Sequence, residues 1–157
     1  MIDDLYSARI LRLAADMPHA GRLAAPDASS EKVSKLCGST IVVDVKVVDG
    51  KVTDFAQDVR ACALGQAAAA VLGEKVIGAS LDEIETARDA LRAMLRENGP
   101  APQGRFSELS VLAPVKDYPA RHTSTLLAFE AAAEAVRTAA QAQAPNPASR
   151  TSRAGAA

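Results

Sequence analysis

Apolar residues at the start of the chain follow a helical spacing and then give way to an alternating pattern. Between residues 2 and 17 they recur every three or four positions, which predicts an amphipathic helix that ends before Pro18. Residues 21–35 show neither pattern and are interpreted as a loop. From residue 40 to residue 48 the side chains alternate between apolar and polar, so we expect a strand that buries one face.

This strand forms the first half of a predicted β-hairpin. Asp49 and Gly50 make the dipeptide that most strongly favours a tight hairpin turn, and residues 51–61 return as the partner strand. Asp44 and Lys46 fall on the face opposite the apolar one and are expected to face solvent. The apolar face consists of Ile41, Val43, Val45 and Val47.

Two helices are predicted after the hairpin. The alanine-rich stretch from residue 62 to residue 78 has helical spacing, and its small side chains would let it lie close to a neighbour. Gly78 is expected to end this helix. Ser80 and Glu83 form a capping-box pattern that starts the next helix, which should end near residues 98–100.

The last third of the chain predicts one short and one long helix. The sequence "SELSVLAPV", residues 107–115, is interpreted as a helical turn that Pro114 stops. Pro119 suits the first turn of the final helix. Residues 142–157 consist largely of alanine, proline, serine and arginine without periodicity, which predicts a disordered tail after one domain over residues 1–141.

This order of elements predicts an α+β fold. A small antiparallel sheet, made of the hairpin and a third strand, would be covered on one face by the helices. The chain has 157 residues, of which 48% are hydrophobic, and this is enough to bury the core of one domain.

Charge and composition exclude two classes of partner. The formal net charge is −1 and only 3% of the residues are aromatic, so neither a basic patch nor a platform for stacking bases is expected. No apolar run is long enough to cross a membrane, and the acidic start "MIDDLYSARILRL" does not resemble a signal peptide. We therefore expect a cytoplasmic protein that binds neither nucleic acid nor membranes.

The two cysteines are the strongest candidates for chemistry. Cys37 precedes the first hairpin strand beside Gly38, which leaves room for a ligand, and Cys62 follows the second strand. A hairpin brings its ends together, so both thiols are expected at one end of the sheet, where they could hold a soft metal ion, an iron–sulfur cluster or carried sulfur. Two alternatives remain open: both cysteines are buried packing residues, or Cys62 pairs with His122 or His19 in a hydrolase.

Four stretches follow one another in an order typical of a protein family. "LYSARILRLAADMPHAGRL" resembles the family's opening helix, and "CGSTIVVDVKVVDGKVTDF" resembles its Cys-Gly-Asp sequence followed by a hairpin. "ACALGQAA" resembles its second cysteine at the start of a helix, and "VKDYPARHTSTLLAFEA" resembles a segment in which Pro-Ala-Arg precedes a third cysteine. Over residues 5–137 the chain thus resembles the iron–sulfur cluster scaffold proteins of the IscU, SufU and N-terminal NifU type.

The resemblance implies a compact α+β domain with a small antiparallel sheet flanked by helices. Members of this family receive sulfur from a cysteine desulfurase, assemble a 2Fe–2S cluster and transfer it to apo iron–sulfur proteins, and some bind zinc at the same site. Cys37 and Cys62 match the first two family cysteines. The resemblance therefore implies a scaffold or carrier rather than an enzyme.

The sequence departs from the family's pattern at two positions. Ser39 stands where the family has a metal-ligating aspartate, and Ser124 stands where it has the third cysteine. A serine hydroxyl ligates iron or zinc poorly and cannot carry persulfide sulfur. We interpret Ser39 as a loop or cap hydroxyl. His122 lies two residues before Ser124, and Arg121 is either a partner contact or a surface charge.

We therefore expect the chain to bind iron, zinc or a labile 2Fe–2S cluster through Cys37 and Cys62, with His122 or Ser124 as the third group. The alternative is an interaction module of the same fold that has lost its metal chemistry and binds a cysteine desulfurase or another assembly partner. A persulfide carrier, which would need a reactive thiol, is a third possibility.

Overall fold

The structure, a computed structural model, describes residues 6–36 and 38–143. Cys37, residues 1–5 and residues 144–157, which include most of the predicted tail, lie outside the described residues. None of the described helices is both apolar enough and long enough to span a bilayer. The elements in chain order are α1 (Ala8–Ala15), β1 (Ala28–Ser34), β2 (Ser39–Val48), β3 (Lys51–Arg60), α2 (Ala63–Lys75), α3 (Leu81–Arg96), a 3-10 helical segment (Gly104–Asp117), a 3-10 turn (Pro119–Arg121) and α4 (His122–Gln143).

The three strands form one antiparallel sheet in the order β1-β2-β3. Asp49 and Gly50 have φ angles of 53° and 76°, as the predicted tight turn between β2 and β3 requires. The register places Thr40 opposite Arg60, so the open end of this hairpin lies where β2 begins and β3 ends. The α+β fold with flanking helices is confirmed.

The third strand, β1, lies where the sequence predicted a loop, and that part of the prediction is wrong. Its sequence ASSEKVS contains few strand-forming residues, yet it pairs with β2 along its whole length. On the side of the helices, Ser30 Oγ and Lys32 Nζ both donate to the Glu134 carboxylate on α4. Backbone pairing and polar contacts thus hold β1 in place. Its sequence therefore lacks the alternation of apolar residues that would have predicted a strand.

Helix α4 lies at the centre of the fold and packs against β1, β2, α2 and α3. Leu126, Phe129 and Val136 of this helix are buried in the core. The ring of Phe129 meets that of Phe106 edge to face at 5.2 Å, which joins α4 to the 3-10 helical segment. The buried face of α4 therefore packs into the core of the domain.

Helix boundaries differ from the prediction at three points. α2 ends at Lys75 rather than at Gly78, and the Arg105 guanidinium donates to the exposed carbonyls of Lys75, Ile77 and Gly78. Pro114 does not stop its helix, because the 3-10 helical segment tolerates its fixed φ and continues to Asp117. α4 reaches Gln143 and so includes the first two residues of the predicted tail.

The predicted capping box at the start of α3 is present. Ser80 Oγ accepts a hydrogen bond from the Glu83 backbone N at 3.1 Å, and Glu83 Oε1 accepts one from the Ser80 backbone N at 3.1 Å. Two backbone donors at the helix start are thereby satisfied reciprocally.

Removing the Ser80 hydroxyl should therefore weaken α3. We expect Ser80→Ala to lower the free energy of unfolding by about 1 kcal/mol, because the Glu83 N–H loses its acceptor. Urea denaturation followed by circular dichroism measures this loss. Ser110→Ala, at an exposed position of the 3-10 helical segment, is the control and should stay within about 0.5 kcal/mol. Equal losses in both variants would contradict the role of the cap.

Asp44 is buried, so the expectation that it faces solvent is wrong. Its exposed fraction is 0%, because the loop between α1 and β1 folds across the face of the sheet that α4 does not cover. Arg22 Nε donates to it at 2.6 Å, the Leu23 backbone N at 3.0 Å and Ser29 Oγ at 2.5 Å. Burial alone would raise the pKa of Asp44, but these hydrogen bonds and the Arg22 charge outweigh it and hold the pKa below its ordinary value.

Candidate functional site

Cys62 lies at the open end of the hairpin, directly after β3, as the residue that precedes α2. Its backbone is extended, with φ −66° and ψ 170°, and its side chain makes no capping hydrogen bond to the helix. The residue is partly exposed and its thiol is free. Its sulfur is therefore left to interact with side chains from other elements or with a ligand.

Ser124 lies directly beside Cys62. It is the third residue of α4 and its exposed fraction is 0%, and its Oγ is 3.5 Å from the Cys62 sulfur. The Ser124 hydroxyl also donates to the Arg121 carbonyl at 3.2 Å, but Thr125 Oγ1 donates to the same carbonyl at 2.7 Å. Because Thr125 already satisfies this carbonyl, Ser124 can turn its hydrogen toward a deprotonated Cys62 at little cost.

His122 contacts the 3-10 helical segment through its Nε2 atom. The residue is buried, and Nε2 lies 3.0 Å from the Val115 carbonyl oxygen and 3.2 Å from that of Lys116. Carbonyl oxygens only accept hydrogen bonds, so Nε2 carries a hydrogen and offers no lone pair to a metal in this arrangement. The contact anchors the first turn of α4. Between the two candidates for the third group, Ser124 is the one that the structure places against Cys62.

The start of β2 lies at the same end of the sheet. Gly38 has a φ of 73°, a conformation that favours glycine, and its N–H donates to the Ser34 carbonyl at 2.8 Å. Ser39 pairs with Ser34 in the register and is buried. Because Cys37 lies outside the described residues, the approach of its thiol to that of Cys62 stays a prediction.

The described residues alone do not supply a complete metal site. Within residues 6–36 and 38–143, no three histidine, cysteine or acidic side chains lie close enough together to hold a metal ion. One thiolate and one hydroxyl fall short of the four ligands that a closed zinc site uses. A bound ion would therefore need Cys37, water or a group from a partner as further ligands.

Two residues that shape this site were not identified from the sequence. Thr125 supplies the second hydrogen bond to the Arg121 carbonyl, and a threonine in a helix gives no pattern that signals such a role. Gly65 is buried in α2 against the backbone of Ser124. Glycine lowers the stability of a helix relative to alanine, so a glycine inside an alanine-rich helix is the sequence signal that could have identified this position.

Comparison with known proteins identifies the family. Residues 5–125 match the family described as "NifU-like N terminal domain". The chain is 29% identical over 133 residues to the "Iron-sulfur cluster assembly scaffold protein IscU" of Thermotoga maritima, covering 85% of this chain and 93% of that protein. It is 30% identical over 107 residues to the protein of the same name from Streptococcus pyogenes serotype M1, covering 68% of this chain and 67% of that protein.

Solved structures agree with this assignment. The crystal structure of a NifU-like protein (N-terminal) from Brucella abortus superposes with a TM-score of 0.88 at 54% identity, covering 91% of this chain and 99% of that one. A scaffold-type protein of the SUF system from Fervidobacterium islandicum, with a TM-score of 0.78 at 20% identity over 85% of this chain and 98% of its own, shares the fold. The resemblance found in the sequence is thus confirmed, and the chain belongs to the family of NifU-like N-terminal domains.

Proposed function

We propose that this protein is an iron–sulfur cluster assembly scaffold or carrier. It binds iron, zinc or a labile 2Fe–2S cluster through Cys37 and Cys62 and passes it to apo iron–sulfur proteins, with a cysteine desulfurase as the source of sulfur. The observation that carries this proposal is the contact of 3.5 Å between the Cys62 sulfur and Ser124 Oγ at the open end of the hairpin. The two relatives named as iron–sulfur scaffold proteins support it.

Each residue of the site has a distinct role in this proposal. The thiolates of Cys37 and Cys62 are soft ligands that suit iron and zinc. Ser124 serves as the third group, either as a weak oxygen ligand or as a hydrogen-bond donor to the sulfur of Cys62, and such bonds tune a metal-bound thiolate. The partial exposure of Cys62 leaves the cargo within reach of an acceptor protein, which suits transfer.

Anaerobic reconstitution tests the proposal. The protein is incubated with ferrous iron and sulfide, desalted, and assayed for iron and sulfide per chain, and a parallel sample is loaded with zinc. The Cys37→Ser/Cys62→Ser variant removes both cysteines of the chain and should retain less metal by on the order of tenfold or more. Equal retention by the wild type and this variant would refute the proposed site.

The second candidate function is an interaction module without metal chemistry. It is favoured by the hydroxyl at position 124, because a serine oxygen ligates iron or zinc poorly, and by the engagement of His122 Nε2 with two backbone carbonyls, which occupies that ring atom. In this case neither protein of the reconstitution experiment retains metal. Both would nevertheless bind a cysteine desulfurase with the same affinity, as isothermal titration calorimetry would show.

A further inference from the structure

We infer that Gly65 is a positioning residue that sets the distance between Cys62 and Ser124. The inference rests on the proposed function only in taking these two side chains as part of the site. Gly65 lies three residues after Cys62, where α2 passes α4. A Cβ atom at this position would stand 3.0 Å from the Ser124 carbonyl oxygen and 2.9 Å from the Ala61 Cβ. Both distances are shorter than normal contacts, so the absent side chain permits the close approach.

The close contact acts on the site because it involves the backbone of Ser124. A flexible side chain could rotate away from an added methyl group, whereas the Ser124 carbonyl is fixed within α4. Relief of the clash therefore requires α2 and α4 to separate, and this separation moves Ser124 Oγ away from the Cys62 sulfur. Their present separation of 3.5 Å is a hydrogen-bonding distance for a sulfur atom, and a wider gap between the helices would lengthen it.

Helix propensity indicates that glycine at this position has a steric reason. Ala67–Ala70 follow in the same helix and are all fully buried. Alanine at position 65 would favour the helix more than glycine does, because glycine loses more backbone freedom on folding. The gain in propensity is given up at a position that lies against the backbone of Ser124.

The same helix contains a matched control. Gly73 is also buried in α2, and a Cβ there would stand 2.8 Å from Gln57 Nε2 and 3.1 Å from the Pro18 carbonyl oxygen. Gly73→Ala thus introduces a similar steric conflict into α2, eight residues from Gly65 and without contact to Ser124. A general loss of packing would affect the two variants alike.

A disulfide between positions 62 and 124 measures the distance independently of any metal. In the Cys37→Ser/Ser124→Cys chain only these two thiols remain, and their equilibrium with glutathione disulfide yields one protein disulfide and two glutathione thiols. Because disulfide formation requires narrow geometry, we expect Gly65→Ala to lower the equilibrium constant by about tenfold or more. Gly73→Ala should change it by less than about twofold.

Additional variants separate the two close contacts and guard against misfolding. Circular dichroism checks that each chain is folded. Ala61→Gly, added to the Gly65→Ala chain, removes one close contact and leaves the one with the Ser124 carbonyl. The equilibrium constant for disulfide formation should remain low in this double variant. If Gly65→Ala alone does not fold, the constant is measured in the double variant instead. Full recovery would overturn the assigned contact.

The outcomes for Gly65 and for the proposed function are distinguishable. Equal constants for the parent, Gly65→Ala and Gly73→Ala chains would overturn the positioning role. So would a parent that forms no disulfide, because positions 62 and 124 would then not be held in the close geometry that Gly65 is inferred to permit. If the constant falls as expected but the wild type retains no iron or zinc, the positioning role stands and the proposed function fails.

Discussion

Replacing Ser124 with cysteine is expected to raise the affinity for iron and zinc by on the order of 10- to 100-fold, a range that even outer ligand partners produce in other sites. The Ser124 oxygen is already 3.5 Å from the Cys62 sulfur, so a thiol there would join Cys62 on the same ion. Thiolate is a far stronger ligand for these metals than a serine hydroxyl. Competition with a chelator under anaerobic, reducing conditions measures the change.

The control for this substitution is Thr123→Cys. It adds a thiol to the same turn of α4, but at an exposed position one residue away. If metal retention depends on a thiol that faces Cys62, Thr123→Cys should match the wild type. Equal gains in the two variants would show non-specific thiol binding, and no gain in either would favour the interaction module.

Replacing Asp44 with alanine is expected to lower the free energy of unfolding by about 2–4 kcal/mol. The substitution removes the acceptor for the Arg22 guanidinium, the Ser29 hydroxyl and the Leu23 backbone N–H. The half-exposed Arg22 side chain can return to water, which keeps the loss below that of a fully buried ion pair. Urea denaturation at neutral pH measures the loss.

Asp58 provides the control on the same face of the sheet, the one that α4 does not cover. It lies opposite Val42, and its pair with Arg60 is longer, at 3.8 Å, and solvent-exposed. Asp58→Ala should therefore cost no more than about 1 kcal/mol. A loss equal to that of Asp44→Ala would mean that burial and multiple donors do not distinguish Asp44.

The contribution of Asp44 to the free energy of unfolding should decrease as the pH falls. Its folded pKa lies below the value of about 3.9 that an unfolded aspartate has, so the folded protein favours the charged form. The stabilisation is complete above roughly pH 5 and is lost as the pH falls through the folded pKa. The difference in unfolding free energy between the wild type and Asp44→Asn should therefore shrink on acidification, and a constant difference would contradict this assignment.

The sequence predicted correctly those elements that are determined by residues close together in the chain. The alternation in β2, the Asp49-Gly50 turn and the Ser80 capping box are each determined by neighbouring residues, and all three are present. A third strand was expected, but its position was missed, because β1 is held by pairing with β2 and by Glu134, which is distant in the sequence. The burial of Asp44 was missed for the same reason, since a distant loop covers it.

The site could be located from the sequence, but its internal contacts could not. The hairpin pattern predicts that Cys62 lies at the end of the sheet, and the family resemblance singles out Ser124. Neither the pattern nor the resemblance shows that His122 Nε2 binds two backbone carbonyls. The role of Gly65 depends on the separation of two helices, and periodicity gives the buried face of a helix but not the distance to its neighbour.

Ser39, Cys62 and Ser124 lie at or next to the start of their elements, and this has an evolutionary consequence. Ser39 opens β2, Cys62 precedes α2 and Ser124 belongs to the first turn of α4. In each element the first buried apolar residue follows two positions later, at Ile41, Leu64 and Leu126. Mutation can therefore exchange donor atoms at these three positions one by one while the apolar residues that follow them stay the same, so a chain with this architecture can gain or lose ligands without changing its fold.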